Sequence, residues 1–261
     1  MARRQIGTVG ALWRYPVKSL RGEALDFAAV TEHGIAGDRA WALRELTHGG
    51  IMSARTWAAM LHLHAAYERD PSAEPSAPIR IELPDGRTIH AADASASATL
   101  SELFGREIRL EPVRRQRPTP EEFEAIMRGD AFPPNRDFFD EDVIHVIASG
   151  TLEHLRAIRP ESDFDPRRFR ANIYIDTGVE ADGFIEDRWL DGVLEIGAEV
   201  RIAGMRPAIR CAMTTHPQSG LPHDAAILRT AWQHHQAYVG VFAHVGASGL
   251  IAVGDPVILA N

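Results

Sequence analysis

Val9-Gly10-Ala11-Leu12-Trp13-Arg14-Tyr15-Pro16-Val17-Lys18-Ser19 reads as a strand ended by a proline. Apolar and aromatic residues carry it to Tyr15. Pro16 has no N–H to give a ladder, so the chain turns outward there. Runs of the same kind recur between Gly, Pro and Asp punctuation. In the first half they cover residues 25–30, 40–44, 62–67, 79–83 and 88–90. In the second they cover 143–148, 171–175, 194–196, 200–202, 238–245 and 256–259. Thr47-His48-Gly49-Gly50, with a strand resuming at Ile51, and Pro84-Asp85-Gly86 are hairpin signals. Residues 69–78, polar and proline-rich, form the loop expected to be most flexible in the first half.

Helices are fewer. One over residues 97–104 stops at Gly105. Thr119-Pro120-Glu121-Glu122 is a capping box with proline at the first helical position, which predicts a helix to Arg128. Leu152, Leu155 and Ile158 mark one buried helical face directly after the strand at 143–148. Ile227, Leu228, Ala231 and His235 share one side of a helix over 225–236. Helices therefore fall between strands without regular βαβ alternation. The expected class is mixed α/β, strand-rich, with barrel-like sheets rather than a doubly wound nucleotide fold. The sequence has no G-x-G-x-x-G after a strand, no G-x-x-x-x-G-K-[ST] and no G-x-S-x-G. A composition shift from Pro112 to Pro120 marks the expected boundary between two halves.

The 261 residues suit one large domain or two small ones. A net charge of −8 argues against nucleic acid or an anionic membrane as the main partner. It leaves room for a local basic pocket holding one small anion. No apolar stretch is long enough to span a bilayer, and Arg3-Arg4 lacks the apolar region of a signal peptide. One cysteine and no targeting segment point to the cytoplasm.

That cysteine is Cys211. It can form neither an internal disulfide nor a multi-cysteine zinc site. The remaining roles are core filler, nucleophile, sulfur carrier or single thiolate ligand to a metal. Pro207 is expected to end a strand and deliver the cysteine to a loop. Arg210 favours the thiolate, and Thr214 and Thr215 supply hydroxyl donors. Three other segments offer cations. Lys18 and Ser19 suit an oxyanion or phosphate, or else form a solvated strand end. In Gly34-Ile35-Ala36-Gly37-Asp38-Arg39, Asp38 orients Arg39 toward a phosphate, or the segment is a hairpin loop with a surface ion pair. In Pro166-Arg167-Arg168-Phe169-Arg170-Ala171-Asn172, Arg170 and Asn172 have the same parity and would share one strand face if the strand starts early. The alternative there is a basic loop balancing nearby acids. Adjacent His234 and His235 lie on different helix faces and cannot chelate one metal. His216, five residues past Cys211, is the candidate proton donor.

Taken in order, Y-P-V-K-S (15–19), G-D-R (37–39), F-R-A-N (169–172), R-C-A-M-T-T (210–215) and V-G-D-P-V (253–257) resemble the MOSC superfamily. That family is named for the C-terminal domain of molybdenum cofactor sulfurases. The match runs from Leu12 to Leu259. It looks like members with an N-terminal β-barrel (MOSC-N), among them the amidoxime-reducing component and its bacterial relatives. The resemblance implies a MOSC-N-like β-barrel domain over 1–115, packed on a MOSC β-barrel domain with peripheral helices over 116–261. It implies a molybdenum–pterin cofactor with Cys211 as the protein ligand of the metal, a soft thiolate beside dithiolene sulfur. Lys18, Ser19, Arg39, Arg170 and Asn172 would hold the cofactor's phosphate and pterin. Arg210 would sit near the metal, and Thr151 would donate to the phosphate at a helix N-terminus.

The implied activity is that of an oxidoreductase, independent of pyridoxal phosphate, that reduces N-hydroxylated small molecules by passing the N–O oxygen to molybdenum. Cys211, Arg210 and His216 would be its catalytic residues, and an external electron-transfer protein would supply electrons. Nucleic acid and membrane are not expected partners. The other reading is a sulfur carrier or cofactor-handling protein with a persulfide on Cys211. Relatives carry an acid within a D-P-x-T-G stretch after T-T. Here the run is His216-Pro217-Gln218-Ser219-Gly220. Relatives can also place a serine where this chain has Ala148.

Overall fold

The computed structural model describes residues 3–112, 144–178 and 183–260. The helix expected from Thr119 to Arg128 and the boundary expected at 115/116 lie outside the described residues. The described residues sort into two compact units that interleave along the chain. One takes 3–14, 23–36 and the described residues from 144 onward; the other takes 15–22 and 37–112.

The first unit opens with β1 (Arg3–Arg14), β2 (Glu23–Leu25), β3 (Phe27–Thr31) and β4 (Gly34–Ile35). The second unit carries β5 (Trp41–Glu45), β6 (His64–Tyr67), β7 (Ile79–Glu82), β8 (Thr88–His90), helix α1 (Ala96–Phe104) and β9 (Ile108–Pro112). Its strands pair as β5–β9 and as β6-β7-β8. Single bridges add Val17 to Trp41 and Arg21 to His64. Ile51, expected to resume a strand, makes one bridge to Arg44. Helix α1 ends at Gly105 in the left-handed conformation, φ 61°, as its glycine predicts. Residues 69–78 are pinned at one point by an ion pair between Arg69 and Glu74, 2.6 Å.

The chain returns to the first unit with β10 (Ile144–Ala148), α2 (Ser149–Ile158), β11 (Ile173–Asp176), β12 (Val193–Ile196), β13 (Val200–Ile209), α3 (Ala226–His235), β14 (Tyr238–Ala247), β15 (Gly249–Ala252) and β16 (Pro256–Ala260). The strand order is β11-β10-β14-β13-β12-β16-β1, and β1 pairs back with β11 to close a barrel. Strand β1 makes the closure by changing partners: residues 3–8 pair with β16, and residues 8–12 with β11. Register shifts at Gln5/Gly7 and Val9/Ala11 bend it between the two. Gly7 is required there, because a Cβ would lie 2.2 Å from the Asp176 carbonyl oxygen. The barrel interior is filled by Val9, Leu12, Val146, Ile173, Trp189, Ile196, Ile202 and Val241. One βαβ crossover, β10-α2-β11, joins parallel strands.

A second apolar cluster decides where the candidate site sits. Helices α2 and α3 contribute Leu152, Leu155, Ile227 and Ala231, packed with Phe164 and Phe169 from the loop before β11. Phe164 and Phe169 are fully buried. Each such side chain contributes roughly 2–3 kcal/mol relative to exposure. That loop is therefore anchored by its apolar residues, and its arginines are placed around the anchor.

One expectation about the strands is corrected. Pro207 does not end a strand: β13 continues to Ile209, and Pro207 sits opposite Val241. The ladder absorbs both breaker residues as bulges, with shifts between Ala203 and Arg206 around Gly204 (φ 60°) and between Pro207 and Ile209.

Candidate functional site

Cys211 follows directly on β13. The Arg210 amide still donates to Ala237 O (2.8 Å), which holds the strand end against the entry to β14. Cys211 itself is extended, φ −125° and ψ −177°, half-buried, and opens a 3-10 turn over Ala212–Thr215. Its carbonyl accepts from Thr214 N (3.1 Å) and from Thr214 Oγ1 (3.0 Å). Thr215 Oγ1 donates to Ala212 O (2.7 Å). Both threonine hydroxyls thus stitch the turn and do not face the sulfur as the sequence suggested. They fix the backbone on which the thiol is displayed.

Arg210 turns toward the loop before β11. Its Nη2 donates to Phe169 O (2.5 Å), its guanidinium carbon lies 5.8 Å from the Phe169 ring centre, and Nη1 lies 3.4 Å from His145 Nε2. Phe169 ends a 3-10 turn over Pro166–Phe169 that Asp165 caps by accepting from Arg167 N (2.8 Å). Arg170 follows in the left-handed conformation, φ 55°, and is buried. The parity argument for Arg170 and Asn172 therefore fails, because strand β11 starts only at Ile173 and Arg170 lies on no extended backbone. Arg168, which the sequence reading passed over, is 1% exposed. Burial pulls its pKa down, against the pull of Asp163, Asp224 and Asp165.

Asn172 and Thr151 hold backbone. Asn172 accepts from His145 N at Oδ1 (3.2 Å) and donates from Nδ2 to Trp13 O (3.3 Å), bridging β10 and β1 where β11 has not yet begun. Thr151 has no exposed surface. Its hydroxyl donates to Glu186 Oε2 and accepts from Ile185 N (3.0 Å). The other carboxylate oxygen of Glu186 accepts from Ala148 N (2.7 Å) at the start of α2. A buried glutamate thus meets both the Thr151 hydroxyl and the first amide of the helix entry. Burial raises the Glu186 pKa, offset in part by those hydrogen bonds. His216 is half-buried, its ring 6.5 Å from that of His223 at 27°. His235, paired with Asp187 (2.9 Å) and stacked on Phe184, serves the helix end.

The remaining candidates lie in the second unit. There the Y-P-V-K-S and G-D-R segments form one double loop. Asp38, nearly fully buried, accepts from Tyr15 N (2.7 Å) and pairs with Arg39. Arg39 N donates to Tyr15 O (2.7 Å), and its guanidinium lies 5.0 Å from the Tyr15 ring centre. Lys18 N donates to Trp41 O (2.8 Å) and Trp41 N to Pro16 O (3.1 Å). Ser19 and Arg39 both have positive φ, 66° and 48°. Among the described residues, the buried Ser19 Oγ has no hydrogen-bond partner, which leaves one hydroxyl donor for an anion.

Among the described residues, no three or more His, Cys, Asp or Glu side chains converge on a metal position. Cys211 can therefore offer one soft thiolate and no supporting protein ligands of that class. Such a donor set fits a metal that arrives with sulfur ligands of its own. No helix among the described residues is long and apolar enough to cross a membrane. A cleft of about 550 Å³ lies elsewhere in the first unit, lined by Arg4, Thr8, Asp176, Arg188 and Trp189 among others; it includes none of the candidate site residues.

Comparison with known proteins agrees with this architecture. The model of the MOSC domain matches residues 133–258, and that of the MOSC N-terminal beta barrel domain matches residues 6–108. Mitochondrial amidoxime-reducing component 1 of Mus musculus is 27% identical over 298 residues, covering 98% of this chain and 83% of its own length. The Homo sapiens protein of the same name is 27% identical over 302 residues, covering 98% and 84%. Mitochondrial amidoxime reducing component 2 of Rattus norvegicus is 25% identical, covering 97% and 83%. Among solved structures, the YUAD protein of Bacillus subtilis shares the fold over 100% of this chain and 98% of its own, with a TM-score of 0.53 at 12% identity. The chain belongs to the MOSC family, with a MOSC N-terminal barrel domain ahead of the MOSC domain.

Proposed function

We propose that this chain binds a molybdenum–pterin cofactor through the Cys211 thiolate and reduces N-hydroxylated small molecules in the cytoplasm. The observation that carries this reading is Cys211 itself: the only thiol of the chain, half-buried after a barrel strand, with no rival ligand cluster among the described residues. Similarity to amidoxime-reducing components over nearly the whole chain supports the substrate class. When bound, the cofactor supplies a two-electron couple suited to cleaving an N–O bond.

The overall reaction takes R–NHOH, two electrons and two protons to R–NH2 and water. Electrons come from an external electron-transfer protein. The chain's own residues bind, orient and protonate. Arg210, bonded to Phe169 O, and the buried Arg170 that follows Phe169 offer fixed positive charge to an anionic cofactor. Lys18, Ser19 and Arg39 offer donors on the double loop of their own unit, Ser19 through its partnerless hydroxyl. His216 delivers a proton to the departing oxygen, in a chain that lacks the acid its relatives carry nearby. Asn172 and Thr151 keep the backbone around these groups in place.

The test is molybdenum content by elemental analysis on protein made in a host that synthesises the cofactor, beside Cys211→Ser made identically. Near-stoichiometric metal, lost in the variant, is the expected outcome. A wild-type chain without molybdenum sinks the reading, and a persulfide mass on Cys211 would then favour sulfur carriage.

A further inference from the structure

The loop from Cys211 to the start of α3 closes on itself through main-chain bonds. Thr214 N donates to Cys211 O (3.1 Å), His216 N to Met213 O (3.2 Å) and Asp224 N to Thr215 O (2.9 Å). A second set of bonds ties this loop to the 3-10 turn before β11, and arginines make it in both directions. Arg168 donates from Nε to Asp163 O (2.9 Å) on its own segment and from Nη2 to Pro222 O (2.9 Å) on the cysteine loop. Its Nη1 lies 3.5 Å from Thr214 O on the same loop. Arg210 returns the connection with its bond to Phe169 O. A guanidinium serves these three carbonyls from three separate nitrogens held in one plane, whereas a lysine has its three donors on one atom and a glutamine has only two.

We infer that Arg168 is a positioning residue for Cys211. Together with Arg210 it clamps the cysteine loop to the Phe169 anchor and so sets how far the thiol is accessible. The consequence for metal binding rests on the ligand role proposed above for Cys211; the test does not. Because the chain has one cysteine, alkylation by iodoacetamide reads one site, and mass spectrometry counts it. The full chain is made in a host lacking the cofactor, so the sulfur is open to reagent.

Arg168→Met is expected to speed alkylation about tenfold, as when local opening becomes one decade easier. Arg168→Lys, with charge but no fork, falls between. Arg167→Ala, which removes an exposed arginine paired with Asp165 in the same turn, leaves the rate unchanged. Rates in Arg168→Met and Arg168→Lys indistinguishable from wild type would overturn the inference. Should Arg168→Met fail to fold, hydrogen exchange on Arg168→Lys decides: faster exchange at the Thr214, His216 and Asp224 amides, with β10 and β14 unchanged, upholds the clamp, and unchanged loop amides overturn it. Faster alkylation in a protein that never binds molybdenum would keep the clamp and discard the metal-ligand reading. Stoichiometric molybdenum with unaltered alkylation would do the reverse.

Discussion

The two loop pairs that carry the family's motifs are built with opposite polarity. In the first unit a buried cation, Arg168, organises the Cys211 loop by donating to main-chain carbonyls. In the second a buried anion, Asp38, organises the double loop by accepting from the Tyr15 amide and from Arg39. Each solves the same problem, that irregular backbone cannot be buried with its polar groups unpaired. They differ in what is left behind if the organiser is removed. Without Arg168 the groups that lose a hydrogen-bond donor are neutral carbonyls, Asp163, Asp224 and Asp165 lose a nearby positive charge, and a costly desolvated charge disappears with it. Without Asp38 an amide loses its acceptor and the largely buried Arg39 loses its counter-charge.

This asymmetry gives an ordering. Asp38→Ala is expected to cost about 3 kcal/mol, since a buried ion pair is broken and the Tyr15 amide loses its acceptor in the same step. Arg168→Met is expected to cost about 2 kcal/mol, the penalty of unsatisfied carbonyls reduced by relief of desolvation. Urea unfolding followed through the tryptophans checks both. An Arg168→Met chain less stable than Asp38→Ala would break the comparison, because charge would then matter less than the number of bonds lost.

Much of the barrel is legible in the sequence, since strand runs and their punctuation are local. Pro207 misled because a breaker residue and a bulge look alike along one chain; only the partner strand β14 distinguishes them. The cationic motifs are legible as charge but not as geometry. Nothing in Arg167-Arg168-Phe169-Arg170 says which arginine is buried, because Phe169 and Phe164 decide that by packing against α2 and α3. Arg170 defeats the parity argument because the turn that ends at Phe169 throws it into the left-handed region. Thr151 was read from its place at a helix start, correctly as to position. Its bond to Glu186, thirty-five residues later, was not legible, since no local signal announces a contact at that separation.

The same polarity contrast reappears in two glutamates, and pH separates them. Glu186 in the first unit is pushed above the ordinary 4.5 by burial. The folded chain therefore holds that proton more tightly than the unfolded chain. The contribution of Glu186 is fully present below the ordinary value and declines as pH rises from there through the raised one. Glu186→Gln removes that decline. Urea midpoints across about pH 3 to 8 should show the variant flatter than wild type on the neutral side, and superimposable profiles would refute the claim that burial holds the Glu186 proton.

Glu45, at the end of β5 in the second unit, goes the other way and is expected to show the smallest effect. It accepts from His48 N (2.8 Å) and Thr47 N (3.2 Å), and these bonds hold it at about 2 against an ordinary 4.5. Its contribution is present above the ordinary value and is lost as pH falls toward about 2. Glu45→Gln should therefore lower stability at neutral pH and flatten the acid limb, where the wild type loses that contribution in any case. A Glu45→Gln profile parallel to wild type through the acid limb, or a Glu186→Gln profile parallel to it on the neutral side, would mean that donated bonds at Glu45 and burial at Glu186 do not set the two carboxylates apart.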